Sequence, residues 1–204
     1  MKDVSINNFL AVNGDIKSIA VYCGSSLGVS DIYQESAISF AKELVKRGIT
    51  LVYGGASVGI MGTVADTVLK AGGKVIGVIP SFLEKREISH KNLSELHIVE
   101  TMHQRKHKMI ELAEGFVALP GGFGTLEELS EVLTWSMIGL NSKPCGILNI
   151  NQFYDPLISM FDKMADEQFL QEKYRHMAIV EQDPVALLDR FNDYQAPSVK
   201  TYRQ

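Results

Sequence analysis

The chain is 204 residues long, 46% hydrophobic and 22% charged, with 20 basic against 24 acidic residues and a net charge of −4. That balance suits one globular domain and excludes a disordered or fibrous chain. It also argues against a protein held to nucleic acid by phosphate contacts, and no run approaches the ~20 apolar residues of a membrane helix.

Residues 1–17 carry Asp3, Asn7, Asn8 and Asn13 where a signal peptide needs a sustained apolar run, so they read as a loosely held leader. Residues 18–23 (SIAVYC) form a short apolar strand ended by Gly24-Ser25-Ser26. Residues 31–46 have helical spacing at Ile32, Ala37, Phe40, Ala41, Leu44 and Val45, with Gly48 as the stop. A strand at 49–53 ends in Gly54-Gly55, and a helix at 60–70 stops at Gly72-Gly73. The strand at 74–79 ends in Pro80, and a weaker one follows at 96–99. Thr101-x-x-Gln104 spells a capping box for a helix at 102–113. A strand at 115–119 ends in Pro120-Gly121-Gly122, and a helix covers 125–138. A strand at 145–149, helices at 154–167 and 184–191, and a polar tail at 196–204 complete the chain.

Short apolar strands separated by helices cannot pair as hairpins and need crossover connections. The expected fold is therefore α/β, a doubly wound (Rossmann-like) parallel sheet flanked by helices in a single domain over 18–195. Two cysteines, Cys23 and Cys145, are too few for a disulfide framework or a four-ligand zinc site. They suit a reducing cytoplasm. No HExxH spacing occurs, and no metal is expected.

In an open parallel sheet, ligands bind outside the carboxyl ends of the strands. Three glycine-bearing segments stand there: CGSS at 23–26, GGASVGIMG at 54–62 and PGGFGTLEE at 120–128. Each follows a strand and leads into a helix, whose N-terminus offers unpaired N–H groups and roughly half a positive elementary charge. One such loop is most simply a tight turn. Two long ones on one rim favour a phosphate ligand. The candidate phosphate contacts are Ser25, Gly54, Gly55, Ser57, Gly59, Met61, Gly62, Gly121, Gly122, Gly124 and Thr125. The hydroxyls of Ser25, Ser26, Ser57 and Thr125 serve equally well as loop and cap chemistry. No GxxxxGK[ST] occurs and the first loop does not fit GxGxxG, so a monophosphate ester or nucleotide is expected.

Glu128 has two readings. Thr125-x-x-Glu128 spells a second capping box, yet the same first turn abuts the phosphate loop, where a carboxylate would face the ligand. Glu127 points about 100° away, toward solvent. Arg105 opens a basic run but shares helical spacing with Met109 and Leu112. A guanidinium beside an apolar stripe needs a carboxylate or phosphate partner. Lys108 reads as a solvated face, and His103 and His107 as structural or exposed.

GGASVGIMG, TMHQRKHKMIE and PGGFGTLEELSEVLTW resemble the LOG ("lonely guy") family. Its members are cytokinin riboside 5′-monophosphate phosphoribohydrolases, often mislabelled as lysine decarboxylases. The likeness runs from about Ser18 to Asp193 and includes VIGVIPSFL. It implies hydrolysis of the N-glycosidic bond of N6-substituted adenosine 5′-monophosphate, with no cofactor. It also implies a homodimer with sites near the subunit interface, for which Trp135, Met137 and Ile138 offer a contact surface. The family pattern places the catalytic arginine on Arg105, the motif glutamate on Glu128 and the phosphate loops at 54–62 and 121–125. Ala56 stands where the family usually has a third consecutive glycine, and its methyl group is expected to narrow the ligand's approach.

The implied chemistry passes through a cationic, oxocarbenium-like sugar, which Glu128 would stabilise while activating water. Arg105 would hold Glu128 ionised and position the nucleotide. A non-catalytic nucleotide or cofactor carrier could use the same loops, but a pure phosphate binder gains nothing from a carboxylate beside its anion. Pyridoxal phosphate-dependent decarboxylation needs a Schiff-base lysine, and context singles out none.

Overall fold

The computed structural model of the protein describes residues 16–85 and 89–199. Strands β1 (Ser18–Tyr22), β2 (Thr50–Tyr53), β3 (Val75–Pro80), β4 (Glu95–Val99), β5 (Gly115–Ala118), β6 (Cys145–Leu148) and β7 (Ala178–Glu181) form one sheet. Their order is β4-β3-β2-β1-β5-β6-β7, and every neighbouring pair is parallel. The connections carry helices α1 (Asp31–Lys46), α2 (Gly59–Lys70), α3 (Ser81–Glu84), α4 (Met102–Leu112), α5 (Phe123–Met137), α6 (Asp155–Asp166) and α7 (Glu172–Arg175), and α8 (Pro184–Asn192) follows β7.

The two-residue period of a strand sends alternate side chains into two cores. Ile19 and Val21 of β1 meet Phe40 and Leu44 of α1, Val64 of α2 and Leu187 of α8 on one face. Ala20 and Tyr22 meet Met109 of α4 and Leu129 and Val132 of α5 on the other. Burial on both faces explains why the inner strands read as continuous apolar runs. β4, at the edge, exposes Glu95, Leu96 and Ile98.

The chain winds outward from β1 to β4 and then returns to place β5 on the other side of β1. The loops after β1 and β5 lead to helices on opposite faces of the sheet at this reversal, where an open α/β sheet forms its crevice. Four elements differ from the sequence reading. The one-turn helices α3 and α7 stand where no helix was expected. α5 starts at Phe123, two residues before the expected 125, and β7 fills a stretch for which no strand was expected.

Residues 1–15 of the expected leader and 200–204 of the expected tail lie outside the described residues. At the leader's end Ile16 is buried, and the Lys17 N–H donates to Glu114 at 2.6 Å. In the tail the Ser198 carbonyl accepts from Lys173 and from the Tyr174 hydroxyl. No helix among the described residues is long and apolar enough to cross a membrane.

Candidate active site

Backbone contacts join the three glycine-bearing loops into one rim. The Gly24 N–H donates to the Pro120 carbonyl at 3.1 Å, and the Gly24 carbonyl accepts from the Met61 N–H at 3.3 Å. Gly59 has φ +61°, and a Cβ there would stand 2.2 Å from the Ser25 carbonyl carbon, so only glycine fits. Gly121 lies beneath the Thr125 hydroxyl, and Gly62 beneath the Ser57 carbonyl. Ser25, Ser26, Gly121 and Gly122 line a cleft of about 310 Å³ together with Tyr33 and Phe153.

The two long loops end in helices with no side-chain cap, at Val58 for α2 and Gly122 for α5. By contrast, Ser30 caps α1, Thr101 caps α4 and Asp183 caps α8. Val58 and Gly122 thus offer no side-chain acceptor to the first N–H groups of α2 and α5. Ser57 is exposed at the start of α2. Gly122 and Gly124 have nothing within 4 Å of an added Cβ, and neither has positive φ. Packing and backbone conformation within the chain therefore do not demand glycine at these two positions.

Arg105 and Glu128 meet beside this rim. The Thr101–Gln104 capping box forms as its sequence suggests: Thr101 Oγ1 accepts from the Gln104 N–H at 3.1 Å, and Gln104 Oε1 accepts from the Thr101 N–H at 3.2 Å. This fixes the first turn of α4 and turns Arg105 inward. The guanidinium donates to the Val78 carbonyl through Nε at 3.2 Å and to Glu128 Oε1 through Nη1 at 2.7 Å. Nη2 fills the space above Gly54, 2.1 Å from where a Cβ would be, with Met61 alongside. Gly54 therefore makes room for Arg105. Gly55, with φ +75°, is buried beneath Ile79.

The second capping box does not form. Because α5 begins at Phe123 with Gly122 as its N-cap, Thr125 and Glu128 sit too far along the helix to cap it. The Glu128 carboxylate turns to Arg105 instead, and only 7% of the residue is exposed. Burial pushes its carboxyl above the usual range; Arg105 pulls the other way, and the Glu127 charge adds to the rise. Arg105 favours the ionised form, as expected, but desolvation outweighs it in the direction of the shift. Burial also raises the Cys23 thiol, helped by Glu128, so Cys23 stays protonated beside the pair.

Lys106 is buried and bridges Glu127 and Glu131, the latter at 3.1 Å. Burial alone would lower its pKa, but the two carboxylates raise it overall. Glu127, expected to face solvent, is half exposed and paired. Only tertiary placement of α4 against α5 reveals this second ion cluster. Phe153 was also missed. It follows Asn151 and Gln152, whose φ values of 49° and 60° turn the chain, and its ring meets Tyr33 edge-on at 5.9 Å. Ala56 is 3% exposed and pairs with Ser89, so its methyl group is packed within the protein and does not narrow the open cleft. His103 and His107 are exposed, the latter against Glu111 and Trp135. Among the described residues no three His, Cys, Asp or Glu side chains gather to hold a metal ion.

A family model described as "Possible lysine decarboxylase" matches residues 61–191. The cytokinin riboside 5′-monophosphate phosphoribohydrolase LOG of Oryza sativa subsp. japonica is 48% identical over 163 residues, 80% of this chain and 67% of that protein. A cytokinin riboside 5′-monophosphate phosphoribohydrolase of Arabidopsis thaliana is 43% identical over 185 residues, 91% of this chain and 87% of that protein. Among solved structures, the molybdenum cofactor binding protein of Rippkaea orientalis matches with a TM-score of 0.66 at 19% identity, covering 87% of this chain and 96% of that one. At that identity the likeness is one of fold.

Proposed function

The chain belongs to the LOG family, and we propose that it hydrolyses the N-glycosidic bond of N6-substituted adenosine 5′-monophosphates to free base and ribose 5-phosphate, with Arg105 and Glu128 as its catalytic residues. The observation that carries the reading is the buried Arg105–Glu128 pair beside two helix N-termini without side-chain caps.

The substrate phosphate binds at the rim, where helix N–H groups and positive dipole ends favour an anion. Gly122 and Gly124, which nothing inside the chain requires to be glycine, let the phosphate oxygens come close to the backbone. Binding energy gained there is remote from the reacting bond and orients it. As the bond between the base and C1′ breaks, positive charge develops on the sugar, and the Glu128 carboxylate stabilises it. The base leaves with the bonding electron pair and takes a proton from solvent water, while a second water adds to C1′ and loses a proton to Glu128, whose raised affinity for protons suits a general base. Arg105 orients that carboxylate through Nη1.

Decarboxylation through a Schiff base finds no suitable lysine among the described residues. Such a lysine needs a depressed pKa, and buried Lys106 is raised by its two carboxylates. Burial lowers Lys143, but this residue precedes β6, at the rim opposite the carboxyl ends, and donates to the Ile110 carbonyl. A homodimer is part of the same proposal, supported by apolar Ile138 and Leu140 exposed just after α5. The two free, buried cysteines support a cytoplasmic setting.

The test is chromatographic assay of free base and ribose 5-phosphate from AMP and N6-isopentenyl-AMP, with adenosine beside them. Base release from the monophosphates, with adenosine at least about 100-fold poorer, is expected. Equal rates on AMP and adenosine would remove the phosphate anchor from the mechanism.

A further inference from the structure

Residues 89–92 lie across the loop that joins β2 to α2, outside the machinery described so far. Ser89 pairs with Ala56 in an isolated antiparallel bridge. The His90 N–H donates to the Gly55 carbonyl at 2.8 Å. The His90 side chain then reaches α2, where Nε2 stands 3.0 Å from Asp66 Oδ1. Its Nδ1 accepts from the Asn92 N–H at 3.2 Å, so the neutral ring carries its proton on Nε2 and donates to Asp66. Only 8% of His90 is exposed. The bond from His90 holds the Asp66 carboxyl below its usual range, and Lys70 at 3.7 Å assists.

One imidazole thus joins its own turn, the outer face of α2 and, through the neighbouring backbone, the peptide between Gly55 and Ala56. That peptide lies beyond the end of β2 at Tyr53, where the sheet ladder no longer holds the chain. Because the peptide is trans, drawing the Gly55 carbonyl toward the strap turns the Ala56 N–H the opposite way. Fixing one plane therefore fixes the direction of a backbone donor in the loop. The buried Ala56 methyl is held in the same place by its bridge to Ser89.

We infer that His90 and Asp66 are a positioning pair that presets the 54–58 loop for the substrate phosphate. The inference rests on the proposal that this loop binds phosphate. Neither side chain acts on the reacting bond; both act through the Gly55–Ala56 peptide. Arg105 donates its hydrogen bonds to the Val78 carbonyl and to Glu128, on other elements. Loss of the pair should therefore weaken nucleotide binding and spare the chemical step.

The experiment compares His90→Ala, Asp66→Ala, the double variant and Asp66→Asn with the parent protein. KM for AMP and N6-isopentenyl-AMP is expected to rise about tenfold in both alanine variants, a loss in the range of one charge-assisted hydrogen bond. Turnover should stay within about twofold. The double variant should be no worse than either single one, because all three lack the same bond. Asp66→Asn keeps an acceptor oxygen and should stay within about threefold of the parent. Amide hydrogen exchange over 54–58, measured without nucleotide, should quicken in the alanine variants and not in Asp66→Asn. Asp66 is half exposed, so its variants carry the test if His90→Ala does not fold. Unchanged KM, unchanged exchange, or penalties that add in the double variant would each overturn the pair. If the parent releases no base, the phosphoribohydrolase reading fails, and exchange alone decides: quickening supports the pair and its absence overturns it.

Discussion

At Gly54 the missing side chain is what lets Arg105 lie against the end of β2, since a Cβ there would stand 2.1 Å from Nη2. Gly54→Ala should drive the guanidinium off Glu128 and lower turnover by about 100-fold or more, with the fold retained. Gly124 is the converse case. It lies inside α5 with open space around an added Cβ, so Gly124→Ala should stabilise the helix by up to about 1 kcal/mol yet raise KM by crowding the phosphate. Steady-state kinetics and thermal melting of both variants separate the two roles. A Gly54→Ala enzyme with normal turnover would show that Arg105 needs no such room. Glu128 adds a prediction in pH. Its carboxyl titrates above the usual range because burial outweighs Arg105. The ionised form is the one that stabilises a cation, so kcat/KM should fall as pH drops through that raised value. Glu128→Gln should abolish this acid limb and cost about 100-fold or more in turnover. The same shift has a stability sign. Between the unfolded carboxyl value and the raised folded one, the native state binds more protons, so stability declines as pH rises through that window. A pH–rate profile with no acid limb above the ordinary carboxylate range would contradict the assignment.

α4 shows how an element delivers a residue. Thr101 and Gln104 close its first turn, and the Arg105 N–H donates to the Thr101 carbonyl at 3.1 Å. Thr101→Ala should cost about 1 kcal/mol of stability and reduce turnover several-fold by loosening the turn that aims Arg105. Chemical denaturation beside kinetics measures both, and a loss of stability without any loss of turnover would separate the cap from the site. This box was legible in the sequence because its two partners are three residues apart. α1 was legible for the same reason: its spacing and its glycine stop are local, and its observed span matches the expected one. Arg105 could be singled out because Met109 and Leu112 mark its helix face. The start of α5 was hidden by Gly121, Gly122 and Gly124, which read as loop although Gly124 lies inside the helix. β7 is four residues (AIVE) behind a one-turn helix, too short for periodicity to speak. Lys106 looked like part of a basic run, and only the packing of α4 against α5 turns it into a buried partner for Glu127 and Glu131. The His90–Asp66 pair spans 24 residues and two elements, and no local pattern announces it.

At the scale of the whole molecule, the reversal of strand order between β1 and β5 brings three loops to one rim, while Arg105 and Glu128 arrive from α4 and α5 on one face of the sheet. The placement of those two helices therefore sets the geometry of the proposed catalytic pair, and their outer surface carries apolar side chains. Ile138 is 38% exposed and Leu140 is 62% exposed just beyond α5, with Trp135 partly covered by His107. Apolar groups clustered at such a surface favour a partner that removes them from water, at roughly 25 cal/mol per Å² of apolar area buried. A second copy meeting this face would brace α5 and, through the Lys106 bridge, α4. Light scattering is therefore expected to give a mass near twice that of the chain. Leu140→Glu combined with Ile138→Asp should shift the protein to monomer, since two charges would have to be buried unpaired in the interface. The monomeric variant should keep its circular dichroism spectrum and lose turnover, because the α4–α5 geometry behind the Arg105–Glu128 contact is no longer braced. A parent protein that scatters as a monomer would overturn the dimer, and a fully active monomeric variant would show that each chain holds α4 and α5 in place unaided.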